Sequence, residues 1–193
     1  QEMIRETLSD AGCAAALADD TFPLVFQRIY SAFASPDVWA PCPEGVRAMR
    51  HAKAQGLVVG VVSNVYPRYV DQNLPLLGLH RDLDFATTSY DVGAAKPDSA
   101  LFLEACRKAS HVSRLLSGNK EQPPIDPGQV LHIGDDIKKD YLAAKAAGMR
   151  ALLFDPDGKY SGADSAEQLD ASEVIHTLDE VTAKVNALLA SSS

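Results

Sequence analysis

LVVGVVSNVYPRYV, residues 57–70, runs through apolar residues and one glycine, ends that run in a Ser-Asn pair and then turns polar. A continuous β-branched run without alternation predicts a strand of a parallel sheet, covered on both faces. A small hydroxyl at the carboxyl end of such a strand stands where open parallel sheets bind ligands. Similar short runs recur at FATTS (85–89), VLHI (130–133) and ALLF (151–154), and helical patterns lie between them. Pro43 opens a helix carrying Val46, Met49 and Ala52 that stops at Gly56. A stretch through Tyr69 and Leu74 is interrupted by Pro75 and closed by Gly78, and Pro97-Asp98-Ser99 caps the helix ALFLEACRKA. Gly148 stops a helix that begins near Ile137, and Thr177-Leu-Asp-Glu180 is a capping box for the last helix. Alternation at this spacing implies right-handed βαβ units, so the predicted fold is α/β around a parallel sheet.

No strand pattern precedes residue 57: residues 2–33 read as helical, with Phe22, Val25, Ile29 and Phe33 at three- and four-residue spacings. Residues 110–128 are a long polar stretch and read as a solvated loop. The 193 residues fit one domain, and 18 basic against 26 acidic side chains give a net charge of −8. That balance argues against nucleic acid or an anionic membrane surface as the main partner, and no apolar run reaches membrane-spanning length. Cys13, Cys42 and Cys106 are an odd number without metal-ligand spacing and are expected to be reduced and mostly buried. With no visible signal peptide, the expected location is intracellular and soluble, in cytoplasm or an organelle matrix. The sequence begins at Gln1 rather than Met, so an upstream segment is expected to have been removed or left out.

Polar groups gather at the predicted strand ends: Ser63-Asn64, Lys96-Pro97, Asp135-Asp136 and Asp155-Pro-Asp157. A hydroxyl beside backbone N–H groups can hold one phosphate oxygen and an ammonium can neutralise another. A carboxylate cluster can hold Mg²⁺, which prefers oxygen ligands and bridges to phosphate. Each residue also has a structural reading. Ser63 could cap a helix, Lys96 could be a solvated charge, Asp135 or Asp136 could cap the helix at Ile137, and Asp140 could complement that helix's dipole.

Taken in order, these stretches resemble the motifs of the haloacid dehalogenase-like hydrolase superfamily, from about residue 43 to residue 189. VVSN resembles its second motif, SYDVGAAKPDSALF (89–102) its third and HIGDDIKKDYLAAKAAGM (132–149) its fourth. The resemblance implies a Rossmannoid three-layer core over residues 41–193 and a partial helical cap over residues 1–40. It also implies Mg²⁺-dependent phosphate monoester hydrolysis of a phosphorylated small molecule. Ser63, Asn64 and Lys96 would bind the phosphate, Asp135 the metal, and Lys96 and Asp140 would serve the chemistry. The family's first motif is an apolar strand ending in Asp-x-Asp, whose first carboxylate is the nucleophile and second the general acid/base. No such strand occurs ahead of the helices of residues 1–33. Asp19-Asp20-Thr21 has no strand before it and reads as a helix boundary. LLFDPDGK (152–159) follows the fourth motif, and family strand order would put it next to the fourth-motif strand VLHI, on the side away from the nucleophile strand and about 10 Å from the nucleophile position.

The expected consequence is a sheet lacking its central strand between the strands ending at Val62 and Ile133. Either an upstream segment or another polypeptide supplies the strand, or the flanking strands close on each other. As it stands the chain is expected to be inactive alone; the alternative is a non-catalytic structural or regulatory subunit of a larger assembly.

Overall fold

The computed structural model describes residues 2–33, 35–160 and 169–191; Gln1 and the last two residues of the serine tail lie outside them. Residues 2–33 hold α1 (Glu2–Asp10), a 3-10 turn (Ala14–Leu17) and α2 (Phe22–Ala32), with no strand. The Arg5 guanidinium lies 3.7 Å from the centre of the Phe22 ring and ties α1 to α2. Helix α3 (Pro43–Ala54) opens on a proline that fits a first turn, and the chain leaves it through Gly56, whose φ of +78° suits glycine.

Strand β1 (Gly60–Ser63) starts later than its apolar run. The first paired position is a glycine because the Phe85 ring crosses it: a Cβ there would lie 2.3 Å from the ring. One π-helical turn (Tyr69–Asn73) and α4 (Leu74–Leu76) lead to β2 (Phe85–Thr88), which pairs parallel with β1 from Gly60↔Phe85 to Ser63↔Thr88. Next come α5 (Ser89–Val92) and α6 (Ser99–Ser117), the latter capped by Asp98 accepting from the Ala100 N–H at 2.9 Å. Strand β3 (Leu131–Gly134), a π-helical segment (Ile137–Leu142) with α7 (Ala143–Ala146), β4 (Arg150–Phe154), β5 (Val174–Ile175) and α8 (Glu180–Ala190) complete the order.

All pairings are parallel, but they form two sheets, β1–β2 and β3–β4–β5, and β1 and β3 do not pair. The flanking strands have therefore not closed on each other. Helix α3 holds the two halves on one face. Toward β2, Arg50 pairs with Asp82 at 3.0 Å and Lys53 with Asp84. Toward α8, Arg47 pairs with Asp179 at 2.8 Å and His51 Nε2 meets Asn186 at 2.9 Å. Helix α6 packs on β1 and β2 and sends Lys108 to the Ala86 carbonyl at 2.7 Å, while its Phe102 and Cys106 sit in one core with Tyr141, Ala151 and Leu153. Leu152 points the other way, into a second core with Ile175, Val181 and Val185, against which Ala48 of α3 packs.

Three expectations need correction. The β1 run is not covered on both sides: Gly60 is exposed and Val61, Val62 and Ser63 are half-buried, and among the described residues only β2 pairs with this strand. Residues 110–128 are not one loop; helix α6 continues to Ser117, and its polar residues fold the following segment back onto it. Ser110 Oγ donates to the Cys106 carbonyl at 2.7 Å and accepts from the Ile125 N–H at 2.9 Å, and Arg114 donates to the Gln122 carbonyl at 2.7 Å. Of the cysteines only Cys106 is buried; Cys13 and Cys42 are exposed. The capping role of Glu180 is present: it accepts from the N–H groups of His176 and Thr177 at 2.9 and 2.8 Å.

Candidate active site

The carboxyl ends of β1 and β3 carry Ser63 and Asp135, and Lys96 reaches between them. Asn64, just past β1, uses both ends of its amide on the backbone of Lys96: Nδ2 donates to the carbonyl at 3.0 Å and Oδ1 accepts from the N–H at 2.8 Å. Asn64 is thereby a support for Lys96, and the phosphate-binding amide expected from the sequence is already engaged. The ammonium of Lys96 donates to the Val62 carbonyl of β1 at 3.3 Å and to Asp140 Oδ1 at 2.6 Å. Asp140 belongs to the π-helical segment behind β3, so one ammonium joins both half-sheets at the carboxyl ends of their strands.

Asp140 is not a solvated dipole partner. Its side chain is 6% exposed, and Oδ1 also lies 3.0 Å from His132 Nε2 in β3. Since an ionised carboxylate only accepts, His132 supplies the hydrogen. Gly134 admits this arrangement: a Cβ there would lie 2.3 Å from Asp140 Cγ. Burial opposes ionisation of Asp140, but the hydrogen bonds from His132 and Lys96 and the Lys96 charge outweigh it and bring its pKa down to about 2.

Asp136 takes the structural reading. It caps the helix by accepting from the N–H groups of Lys138 and Lys139 at 2.9 and 2.8 Å, which lowers its pKa despite partial burial. Asp155 is buried and accepts from the N–H groups of Lys159 and Tyr160 at 2.9 and 3.0 Å, so LLFDPDGK is a strand followed by a closed turn. Strand β4, which leads into this turn, pairs with β3 and β5, whereas β1 belongs to the other sheet. Thr21 donates to Asp20 at 3.2 Å in an exposed stretch before α2, a helix boundary as expected.

Asp135 is exposed, and its side chain has no hydrogen-bond partner among the described residues. It borders a cavity of about 290 Å³ with Ile133, Gly134, Phe154, Asp155 and Lys159. Mg²⁺ takes six oxygen ligands in a near-octahedral shell. With Asp136, Asp140 and Asp155 engaged, the described residues do not assemble a Mg²⁺ site by themselves, and none of their His, Cys, Asp and Glu side chains form a group of three placed to hold a metal.

Sequence reasoning missed His132. The signal was present in VLHI, where a polar residue interrupts a strand of four; a buried polar side chain needs a partner, and Asp140 is that partner.

The chain belongs to the haloacid dehalogenase-like hydrolase family, whose family model matches residues 3–148. It is 30% identical to haloacid dehalogenase-like hydrolase domain-containing protein 3 of Bos taurus, over 79% of this chain and 53% of that protein. It is 27% identical to the ribulose-1,5-bisphosphate 5-phosphatase of Halopiger xanaduensis, over 72% of this chain and 54% of that protein. The crystal structure of a HAD phosphatase from Thermococcus onnurineus superposes with a TM-score of 0.59 at 26% identity, covering 75% of this chain and 57% of that one. The chain thus spans about half the length of these relatives. No described helix is long and apolar enough to cross a membrane.

Proposed function

We propose that this chain is the phosphate-binding part of a Mg²⁺-dependent phosphomonoester hydrolase, and that it does not turn over by itself. Ser63 and Lys96 hold the phosphate of a small-molecule ester, and Asp135 is one of the metal's carboxylates. Asp140 aims the Lys96 ammonium, and Asn64 fixes its backbone. The nucleophile comes from an apolar strand ending in Asp-x-Asp that fills the space between β1 and β3, contributed by a segment upstream of this sequence or by a partner polypeptide. The observation that carries the reading is the Lys96 ammonium, which lies at the ends of both half-sheets beside the unpaired edges of β1 and β3. Phosphoryl transfer needs an anion cradle, a cation and an in-line nucleophile, and the described residues offer the first without the last.

The test is hydrolysis of a generic aryl phosphate with Mg²⁺. The 193-residue chain is expected to show no turnover. The same chain preceded by a designed apolar strand ending in Asp-x-Asp is expected to gain turnover that is lost again in Ser63→Ala and Lys96→Met. Turnover by the chain alone refutes the requirement for an added strand. A folded, strand-completed chain without turnover refutes the hydrolase reading and favours a structural or regulatory subunit, the alternative raised by the absence of a nucleophile strand among the described residues.

A further inference from the structure

Tyr66 and Tyr90 are 67% and 63% exposed, yet they touch each other, with ring centres 5.3 Å apart and planes at 48°. Their position is determined by the sheet. Ser63 and Thr88 are register partners that end β1 and β2; Tyr66 follows the first by three residues and Tyr90 the second by two. Both rings therefore stand at the same end of the half-sheet as Ser63, and Tyr66 is two residues from Asn64, which holds Lys96. Neither phenol has a hydrogen-bond partner among the described residues. Two residues beyond Tyr66, the Arg68 guanidinium lies 4.1 Å from the centre of the Tyr30 ring of α2 and extends the aromatic rim to the helical segment. Exposed aromatic surface marks sites that bind ligands or partners, and aromatic side chains with a few placed polar groups line small-molecule sites.

We infer that Tyr66 and Tyr90 form an aromatic ledge that receives the organic part of the substrate, so that the preferred esters carry a flat aromatic group next to the phosphate. The inference rests on the phosphate-binding reading of Ser63 and Lys96. A ring laid on the ledge adds tilted or offset stacking and covers apolar surface, whereas a small aliphatic group reaches neither. Both rings follow strands of the β1–β2 half-sheet and are in place in this chain without the added strand.

The experiment is ligand-observed NMR on the chain itself with methylphosphonate and phenylphosphonate, which share the anionic head and resist hydrolysis. Phenylphosphonate is expected to bind about tenfold more tightly. Tyr66→Ala and Tyr90→Ala are expected to remove most of that ratio while leaving methylphosphonate binding unchanged. Ser63→Ala is expected to weaken both ligands in parallel. A ratio near one, or a ratio that survives both tyrosine substitutions, overturns the ledge while Ser63-dependent methylphosphonate binding keeps the phosphate site. Failure of Ser63→Ala to affect either ligand overturns the phosphate site and the ledge with it. Concentration-dependent self-association that either tyrosine substitution abolishes assigns the rings to a second copy and overturns the ledge. Both side chains are exposed, so a circular dichroism spectrum like that of the parent chain is expected for the variants.

Discussion

The two half-sheets are built from similar strands and have different fates. In β4 the residues Ala151, Leu152 and Leu153 are buried, with Leu153 at 0% exposure, because β3 runs beside all three, β5 pairs from Leu153 onward and helices cover both faces. In β1 the residues Val61 and Val62 are only half-buried, although their run is at least as apolar, because β2 lies on one side and nothing described lies on the other. Apolar character determines which segments become strands; burial depends on neighbours. The polar chemistry follows the same division. Asp155, at the end of the flanked strand, is closed off by its own turn, whereas Ser63 and Asp135, at the ends of the strands with an open edge, have side chains without hydrogen-bond partners among the described residues.

A large effect is expected where the halves are joined. Lys96→Met removes the cation from a pair whose side chains are 13% and 6% exposed, and breaking a buried pair from one side costs about 3–5 kcal/mol. His132 and the Asp136 N–H still bond Asp140, so the loss should fall near the lower end of that range. Lys96→Met combined with Asp140→Asn should recover a large part of it, since no unpaired buried charge remains. Urea unfolding of the four proteins measures the coupling. If Lys96→Met costs no more than the same change at the exposed Lys139, the ammonium is not a tie between the half-sheets.

The strands themselves supply the next contrast. Leu153→Ala empties a site in the closed half and should cost about 2–5 kcal/mol. Val61→Ala removes fewer atoms from a half-exposed position and should cost less than about 1.5 kcal/mol. Addition of a strand that fills the space beside β1 should raise the second value toward the first, because Val61 would then gain the neighbour that Leu153 already has. Equal costs in the unsupplemented chain would mean that β1 is as well covered as β4, and the comparison would fail.

This division explains what was legible in the sequence. The strands, their parallel order and the helices with proline starts and glycine stops were readable, because each rests on local pattern and backbone preference. The placement of VLHI beside ALLF was also foreseen from the resemblance. Strand β5 was missed because two residues, Val174 and Ile175, are too short to show periodicity. The extension of α6 through Ser110 and Arg114 was missed because composition alone made those residues loop-like, while their bonds to Ile125 and Gln122 depend on the fold. At the site, Lys96, Asp140, Ser63 and Asp135 were named in the sequence, but the sharing of Asp140 by Lys96 and His132 was not. That contact crosses 44 residues on one side and a strand-to-helix turn on the other, and no spacing rule encodes it.

The smallest effect separates a structural carboxylate from an available one. Asp155 accepts two backbone N–H bonds in a buried turn; an amide in its place keeps one acceptor oxygen and puts a second donor group against an N–H. Asp155→Asn should therefore cost about 1–2 kcal/mol in thermal or urea unfolding, the size of a lost charge-assisted bond. Asp135→Asn breaks no side-chain hydrogen bond among the described residues and should change stability by less than about 0.5 kcal/mol. In the strand-completed chain the order should reverse for hydrolysis. Asp135→Asn should abolish the Mg²⁺ response, while Asp155→Asn, assayed well below its unfolding temperature, should leave it nearly intact. Stability loss at Asp135 without an effect on the Mg²⁺ response would show that its carboxylate is held by the fold and would remove it from the site.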